Sequence, residues 1–134
     1  MIFSSLGKYK DAGLLLLRVG LGAMFIMHGW PKIIGGPEMW QGLGGAMANL
    51  GVTAVPVVWG FLAALSEFGG GICLVLGFVF RPACLLMLFT MIVATIHHLK
   101  AGDGVATASH AIEDGVAFLA MFLLGPGKYS VDGK

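Results

Sequence analysis

The chain has 134 residues, of which 57% are apolar and 11% are charged, and its formal net charge at pH 7 is +1. Because a soluble domain carries about 25% charged residues, these charges are too few to cover a water-facing surface, which excludes an ordinary soluble helical bundle. The near-neutral balance also offers no basic surface, so we expect no nucleic-acid partner.

Four apolar segments predict an all-α polytopic membrane protein with four transmembrane helices in an antiparallel bundle. A spanning helix needs about 20 predominantly apolar residues, and we expect the four to form a single membrane domain over residues 1–134. The predicted helices lie at about residues 13–30, 55–80, 83–99 and 109–124.

The first segment follows Lys8 and Lys10, as the apolar region of a secretory signal would. Arg18 interrupts its apolar run and no A-x-A cleavage site follows, so we interpret it as a membrane anchor. Pro31 and the glycines after it predict the end of this helix near Trp30.

The two connections that follow differ in length. Residues 38–50, EMWQGLGGAMANL, predict a short helix lying on the outer membrane surface, although its glycines weaken helix formation. The turn Phe80-Arg81-Pro82 is so short that the second and third spans must be antiparallel neighbours.

The distribution of Lys and Arg predicts the orientation of the chain. One side of the membrane receives five of these residues, Lys8, Lys10, Arg81, Lys128 and Lys134, and the other receives Lys32 and Lys100. We therefore expect both termini to be cytoplasmic. Trp30 and Trp59 would then lie at the outer interface.

Glu67 is the unexpected residue of the second span, because it lies about 12 residues inside it, roughly 18 Å deep. Helical spacing places small residues on its face: Gly60, Ala63, Ala64, Gly70 and Gly71. Small residues let transmembrane helices approach closely, so Glu67 is predicted to face the bundle interior.

Other polar residues gather toward the outer ends of the helices. Ionisable groups within spans persist where they face a cavity or one another, so we predict a polar pocket that opens to the outer side with Glu67 as its floor. Arg18 would either extend to the cytoplasmic surface or reach toward Glu67. His97 and His98 point about 100° apart, so at most one should face the interior. The predicted ligand-binding residues are Glu67, His28, Lys32, Arg18, His97, His98, His110, Glu113 and Asp114.

A purely structural interpretation stays open for each of these residues. Glu67 would then be a protonated acid bonded to a neighbouring helix, and the histidines would be ordinary interface residues. Cys73 and Cys84 are interpreted as packing residues. His110-x-x-Glu113 is only a weak metal-binding pattern, so we expect no metal. Carboxylate, imidazole and ammonium groups also suit the carbonyls of a quinone head group.

Four short motifs give the chain a resemblance to a known family, and they occur in order along nearly its whole length. The chain resembles the DoxX family of small four-helix bacterial membrane proteins. The residues that carry the resemblance are His28-Gly29-x-x-Lys32, Glu67-Phe68-x-Gly70-Gly71, Gly77-Phe78-x-x-Arg81 and Gly125-Pro126-Gly127-x-Tyr129-Ser130-x-Asp132. The resemblance implies a bacterial cytoplasmic (inner) membrane location and a link to thiosulfate:quinone oxidoreductase and redox systems. It supplies no catalytic residues.

Three functional hypotheses follow from the sequence. The first is a redox-associated subunit whose pocket binds a quinone-like or small thiol/sulfur ligand. The second is a non-enzymatic anchor or scaffold for a soluble redox enzyme at the membrane, in which the charges only specify helix packing. The third, a small transporter, is disfavoured by the lack of inverted repeats. A homo-oligomer is compatible with each, and no residue is assigned a catalytic role.

Overall fold

The computed structural model describes residues 2–133, and all regular secondary structure within that range is helical. Short 3₁₀ turns lie at Ser4–Tyr9 and Gly45–Leu50. The α-helices are α1 (Lys10–Ile34), α2 (Gly36–Gly44), α3 (Pro56–Leu76), α4 (Phe80–Lys100) and α5 (Gly104–Leu124). Four of them, α1, α3, α4 and α5, are long and apolar enough to cross a membrane, which confirms the predicted four-helix architecture.

The helix bounds differ from the predicted ones at several places. The tight turn lies at residues 77–79 and not at Phe80-Arg81-Pro82, because α4 already begins at Phe80. α1 continues through Pro31 to Ile34, because a proline is tolerated in a spanning helix when neighbouring groups compensate. α3 stops at Leu76, since Gly77 adopts a left-handed conformation with φ 65°. α5 begins at Gly104, so the weakly apolar residues before His110 already belong to the helix.

α3 is the central helix of the bundle, because it packs against α1, α2 and α4, and α4 in turn packs against α5. The close approach of α1 and α3 depends on Gly22 and Gly71. A Cβ atom on Gly22 would lie 2.7 Å from the carbonyl oxygen of Gly71, and the reverse distance is also 2.7 Å. The predicted role of the small residues around Glu67 in close helix packing is therefore confirmed.

The core lies toward the middle of the bundle and is built from apolar side chains of all four spanning helices. Phe25 of α1 and Phe118 of α5 meet edge to face with ring centroids 5.1 Å apart. Their contact joins the first and last spans. Leu74 of α3 and Met87 of α4 are almost fully buried beside them.

Arg18 is buried at the end of the bundle where α1 begins and α5 ends, which we call the termini end. It is 1% exposed and donates hydrogen bonds to the carbonyl oxygens of Leu74, Val75, Pro126 and Tyr129, at 2.7–3.1 Å. The guanidinium reaches neither solvent nor Glu67, and its contacts agree with the purely structural interpretation of Arg18. It joins the last turn of α3 to the segment after α5, because two of its acceptors lie in each.

The segment after α5 returns to the turn between α3 and α4. The Asp132 carboxylate accepts hydrogen bonds from the backbone N–H groups of Val79 and Phe80, at 3.1 and 2.7 Å, and so caps the first turn of α4. The N–H of Val131 donates to the carbonyl of Leu76 at 3.0 Å. The motif at Gly77 to Arg81 and the motif at Gly125 to Asp132 thus contact each other and form part of the termini end.

Residues 38–50, predicted as a surface helix, form most of α2 and the 3₁₀ turn that follows it. They pack directly on the beginning of α3. A Cβ atom on Gly44 would clash with the carbonyl oxygen of Pro56, and one on Gly60 would clash with that of Trp40. The glycines that weaken an isolated helix are what allow this close contact. α2 and its 3₁₀ turn therefore cover the end of the bundle opposite the termini, which we call the α2 end.

Candidate functional site

Glu67 and Lys32 form an ion pair inside the bundle. The Lys32 ammonium donates to Glu67 Oε2 at 2.6 Å. Glu67 is 8% exposed near the middle of α3, which confirms that it faces inward. The Lys32 side chain, from the last turn of α1, is 31% exposed. Its positive charge compensates a carboxylate that would be costly if it were buried alone.

A pair of hydroxyl groups lies beside this ion pair. The hydroxyl oxygens of Ser66 on α3 and Thr90 on α4 are 3.0 Å apart. Because Thr90 donates its proton to the carbonyl of Leu86 at 2.9 Å, Ser66 is left as the donor to Thr90. Ser66 is 1% exposed, so this bond satisfies a hydroxyl that lies within the bundle and links α3 to α4.

A cavity of about 390 Å³ lies between α3 and α4, beneath the segment formed by α2 and its 3₁₀ turn. We call it the α3–α4 cavity. Its polar side chains are Lys32, Trp59, Glu67, Thr90, His97 and His98, and most of the remaining wall is apolar. A largely apolar cavity with a few convergent polar groups has the character of a small-molecule site.

Trp59 is a wall residue that the sequence analysis assigned only to the membrane interface. Its indole Nε1 is buried and has no hydrogen-bond partner within residues 2–133. An unsatisfied buried donor costs about 1–3 kcal/mol. The spacing of Trp59, Ala63 and Glu67, each four residues from the next, would have placed Trp59 on the face of Glu67.

His97 and His98 both line the α3–α4 cavity at the α2 end, although their angular separation predicts that at most one faces the interior. The cavity is wide enough there to touch two neighbouring side chains of one helix. His97 Nδ1 lies 3.1 Å from Asn49 Nδ2 in the 3₁₀ turn. His98 Nδ1 lies 2.9 Å from Asp103 Oδ2.

The other predicted site residues do not line this cavity. His28 and His110 are exposed on α1 and α5, and the His28 ring packs against Phe25 with centroids 6.2 Å apart. Glu113 is also exposed, whereas Asp114 is half-buried. Arg18 lies apart at the termini end.

The polar residues that were predicted to share one pocket do not meet in a single pocket, because of the order in which the helices pack. α3 lies between α1 and α4, so only Lys32 of α1 reaches the cavity side, by extending to Glu67. Within residues 2–133, no three His, Cys, Asp or Glu residues are grouped closely enough to hold a metal ion. The ion pair and the histidines can hydrogen-bond a ligand in the cavity and exchange protons with it.

Comparison with known proteins adds the family to this geometry. The DoxX family profile matches residues 13–99, a range that holds α1 from its second turn, α2, α3 and nearly all of α4. The chain belongs to the DoxX family. It is an integral membrane protein of that family, as the four spanning helices require.

Relatives in two bacteria match this DoxX protein over almost its full length. The inner membrane protein YqjF of Escherichia coli is 32% identical, with 93% of each chain covered. The inner membrane protein YphA of the same organism is 32% identical, over 96% of this chain and 94% of the relative. An uncharacterized protein of Haemophilus influenzae is 28% identical over 98% of this chain and 96% of its own. No solved structure matches.

Proposed function

We propose that this DoxX-family protein is a redox-associated membrane subunit whose α3–α4 cavity binds a quinone-like or small thiol/sulfur ligand. The observation that carries the proposal is the Glu67–Lys32 ion pair, 2.6 Å between Nζ and Oε2, in the wall of a mostly apolar cavity of about 390 Å³. A carboxylate and an ammonium in such a place exchange protons readily with a bound head group. Proton exchange accompanies the reduction of quinones and the oxidation of thiols.

Each polar wall residue has a role in this proposal. Lys32 donates to a carbonyl or sulfur-bound oxygen of the ligand. Glu67 accepts or delivers a proton. His97 and His98 line the cavity at the α2 end and orient the ligand head group there. We also propose that the protein lies in the bacterial inner membrane with both termini cytoplasmic, so that the α2 end faces outward; the names of the two E. coli relatives support the location.

Binding of head groups without tails tests the proposal. The purified protein in lipid nanodiscs is titrated with duroquinone and, separately, with thiosulfate, and binding is followed by native mass spectrometry. We expect one of the two to bind saturably, and Glu67→Gln to weaken that binding by about ten-fold or more, because it removes the carboxylate that holds the Lys32 donor in place. Glu113→Gln, an exposed acid outside the cavity wall, is the matched control and should bind normally. The absence of saturable binding for both compounds would refute the proposal.

The scaffold hypothesis is supported by a different surface. The N-terminal 3₁₀ turn and the residues before it expose apolar and basic side chains together: Ile2, Phe3, Leu6 and Tyr9, with Lys8 and Lys10. The buried Arg18 holds the termini end beneath them in a fixed arrangement. If the protein is only an anchor, Phe3→Ser with Lys8→Ser should release its redox-enzyme partner, while Glu67→Gln should leave the complex intact.

A further inference from the structure

The α3–α4 cavity is open toward the side of the bundle. Leu62 of α3 and Leu86 and Phe89 of α4 contribute to its wall, and the same side chains are 43%, 50% and 46% exposed on the outer surface. All three lie within spanning helices. The gap they border therefore faces the acyl chains of the bilayer.

The opposite direction, toward water at the α2 end, is covered by protein. Ala46 and Met47 of the 3₁₀ turn form part of the cavity wall. Lys100 Nζ donates to the carbonyl of Asn49 at 2.8 Å, and the Asn49 amide is bonded to His97. These contacts tie the turn to the end of α4. Nearer the termini end α3 and α4 are in close contact, since a Cβ on Gly70 would lie 2.6 Å from the Met87 sulfur.

The polar wall selects a head group by charge and by hydrogen bonding. Among the described residues, Glu67 accepts a hydrogen bond through Oε2, so Oε1 remains available as an acceptor. The Lys32 ammonium also has further N–H donors. The Glu67–Lys32 ion pair has no net charge. An anion that bound there would therefore lose its hydration without gaining a net positive charge to compensate for it. A hydroxyl group suits both partners, since it donates to Oε1 and accepts from Nζ. A thiol is a much weaker donor.

We infer that the ligand of this cavity is a neutral amphiphile dissolved in the bilayer, with a hydroxyl or phenol head, which reaches Glu67 sideways between α3 and α4 while its hydrocarbon tail remains between Leu62, Leu86 and Phe89. The inference rests on the proposed function, because it specifies the ligand class of the same cavity. It excludes free thiosulfate and small soluble thiols as the main ligand.

Simple alkylphenols test this inference in nanodiscs. 4-Nonylphenol has the head and the tail, nonylbenzene lacks the hydroxyl, and phenol lacks the tail. Native mass spectrometry reports the fraction of protein that retains each compound. We expect 4-nonylphenol to bind, and nonylbenzene to bind about ten-fold more weakly because it lacks the bond to Glu67. Equal retention of nonylbenzene and 4-nonylphenol would overturn the assignment of the head group.

Blocking the side opening tests the route. Leu86→Trp should lower retention of 4-nonylphenol by about five-fold or more, because the larger ring fills the gap. Leu85→Trp is the matched control, since Leu85 is 46% exposed but does not line the cavity. Leu62→Trp and its control Leu65→Trp repeat the comparison on α3.

The outcomes separate this inference from the proposed function. Suppose that duroquinone binds and that its binding depends on Glu67. If Leu86→Trp then behaves as Leu85→Trp does, and phenol binds as well as 4-nonylphenol, the cavity is a ligand site without lateral access. The inference is then wrong, although the proposed function stands. If neither duroquinone nor thiosulfate binds saturably, the proposed function is refuted and the inference with it.

Discussion

Gly22 of α1 and Gly71 of α3 face each other so closely that a Cβ atom on either would lie 2.7 Å from the carbonyl oxygen of the other. The atoms in the way belong to the backbone, which cannot move aside without separating the two helices. Because Lys32 of α1 and Glu67 of α3 pair across the same contact, the glycines determine whether the ion pair can form.

Gly71→Ala should therefore destabilise the protein. Overpacking of a close contact costs about 1–3 kcal/mol, and it should appear as a lower unfolding temperature in detergent. Gly20→Ala is the matched control, since a Cβ there meets nothing within 4 Å, and it should be neutral or stabilising. Equal effects of the two substitutions would show that the α1–α3 contact is not as close as described.

Lys32→Met should destabilise the protein because it leaves Glu67 buried without its counter-charge. Breaking a buried pair costs about 3–5 kcal/mol, and the partial exposure of Lys32 places the loss at the lower end of that range. The double substitution Lys32→Met with Glu67→Gln should recover most of it, which a double-mutant cycle measures. Lys8→Met, at an exposed site, should change little. A double variant no more stable than Lys32→Met would contradict the pairing.

Arg18→Lys should be far more damaging than Arg81→Lys. Four carbonyls receive hydrogen bonds from the Arg18 guanidinium, and a lysine ammonium cannot reproduce that planar arrangement of donors. Arg81 makes one described side-chain bond, to the carbonyl of Phe122 at 2.9 Å, and is exposed. We expect loss of folded protein for Arg18→Lys and a change of about 1 kcal/mol for Arg81→Lys, measured by fluorescence-detected size exclusion after heating.

Trp59→Phe and Trp40→Phe should have opposite effects on stability. Trp59 Nε1 is a buried donor without a partner among the described residues, so its removal should be neutral or stabilising by about 1 kcal/mol. Trp40 Nε1 donates to the carbonyl of Lys32 at 2.8 Å, so its removal should cost about 1 kcal/mol. Unfolding temperatures without added ligand give the comparison. A destabilised Trp59→Phe would mean that a partner for the indole exists.

The proposed orientation is tested by cysteine labelling in intact cells, after Cys73 and Cys84 are replaced by serine. Ala101→Cys, in the turn between α4 and α5, should react with a membrane-impermeant maleimide. Lys128→Cys, beyond α5, should react only after the cells are permeabilised. The reverse pattern would invert the topology and place the α2 end in the cytoplasm.

The spanning helices were predictable because apolar length is a direct physical requirement for crossing a bilayer. The inward direction of Glu67 followed from helical spacing and the small residues on its face. Both arguments use neighbours along one helix, and both were correct.

The order of packing around the bundle could not be read from the individual helices. It separates His28, His110 and Asp114 from the cavity that contains Glu67. The partners of Arg18 could not be predicted for a related reason, since they are backbone carbonyls of α3 and of the segment after α5, and carbonyls carry no signature in the sequence. Trp59 was within reach of spacing arguments, but an aromatic residue near a helix end resembles an interfacial anchor.

The cap that Asp132 places on α4 has a consequence for biogenesis. Ribosomes synthesise residue 132 only after all four spanning helices. The N–H groups of Val79 and Phe80 therefore lack their acceptor, Asp132, while the α3–α4 hairpin is already in the membrane. A nascent chain halted after α5 would hold every hydrophobic segment and still display an unfinished cytoplasm-proximal turn under the proposed topology. Membrane quality-control proteases could then distinguish incomplete chains from finished ones by the uncapped N–H groups of this turn.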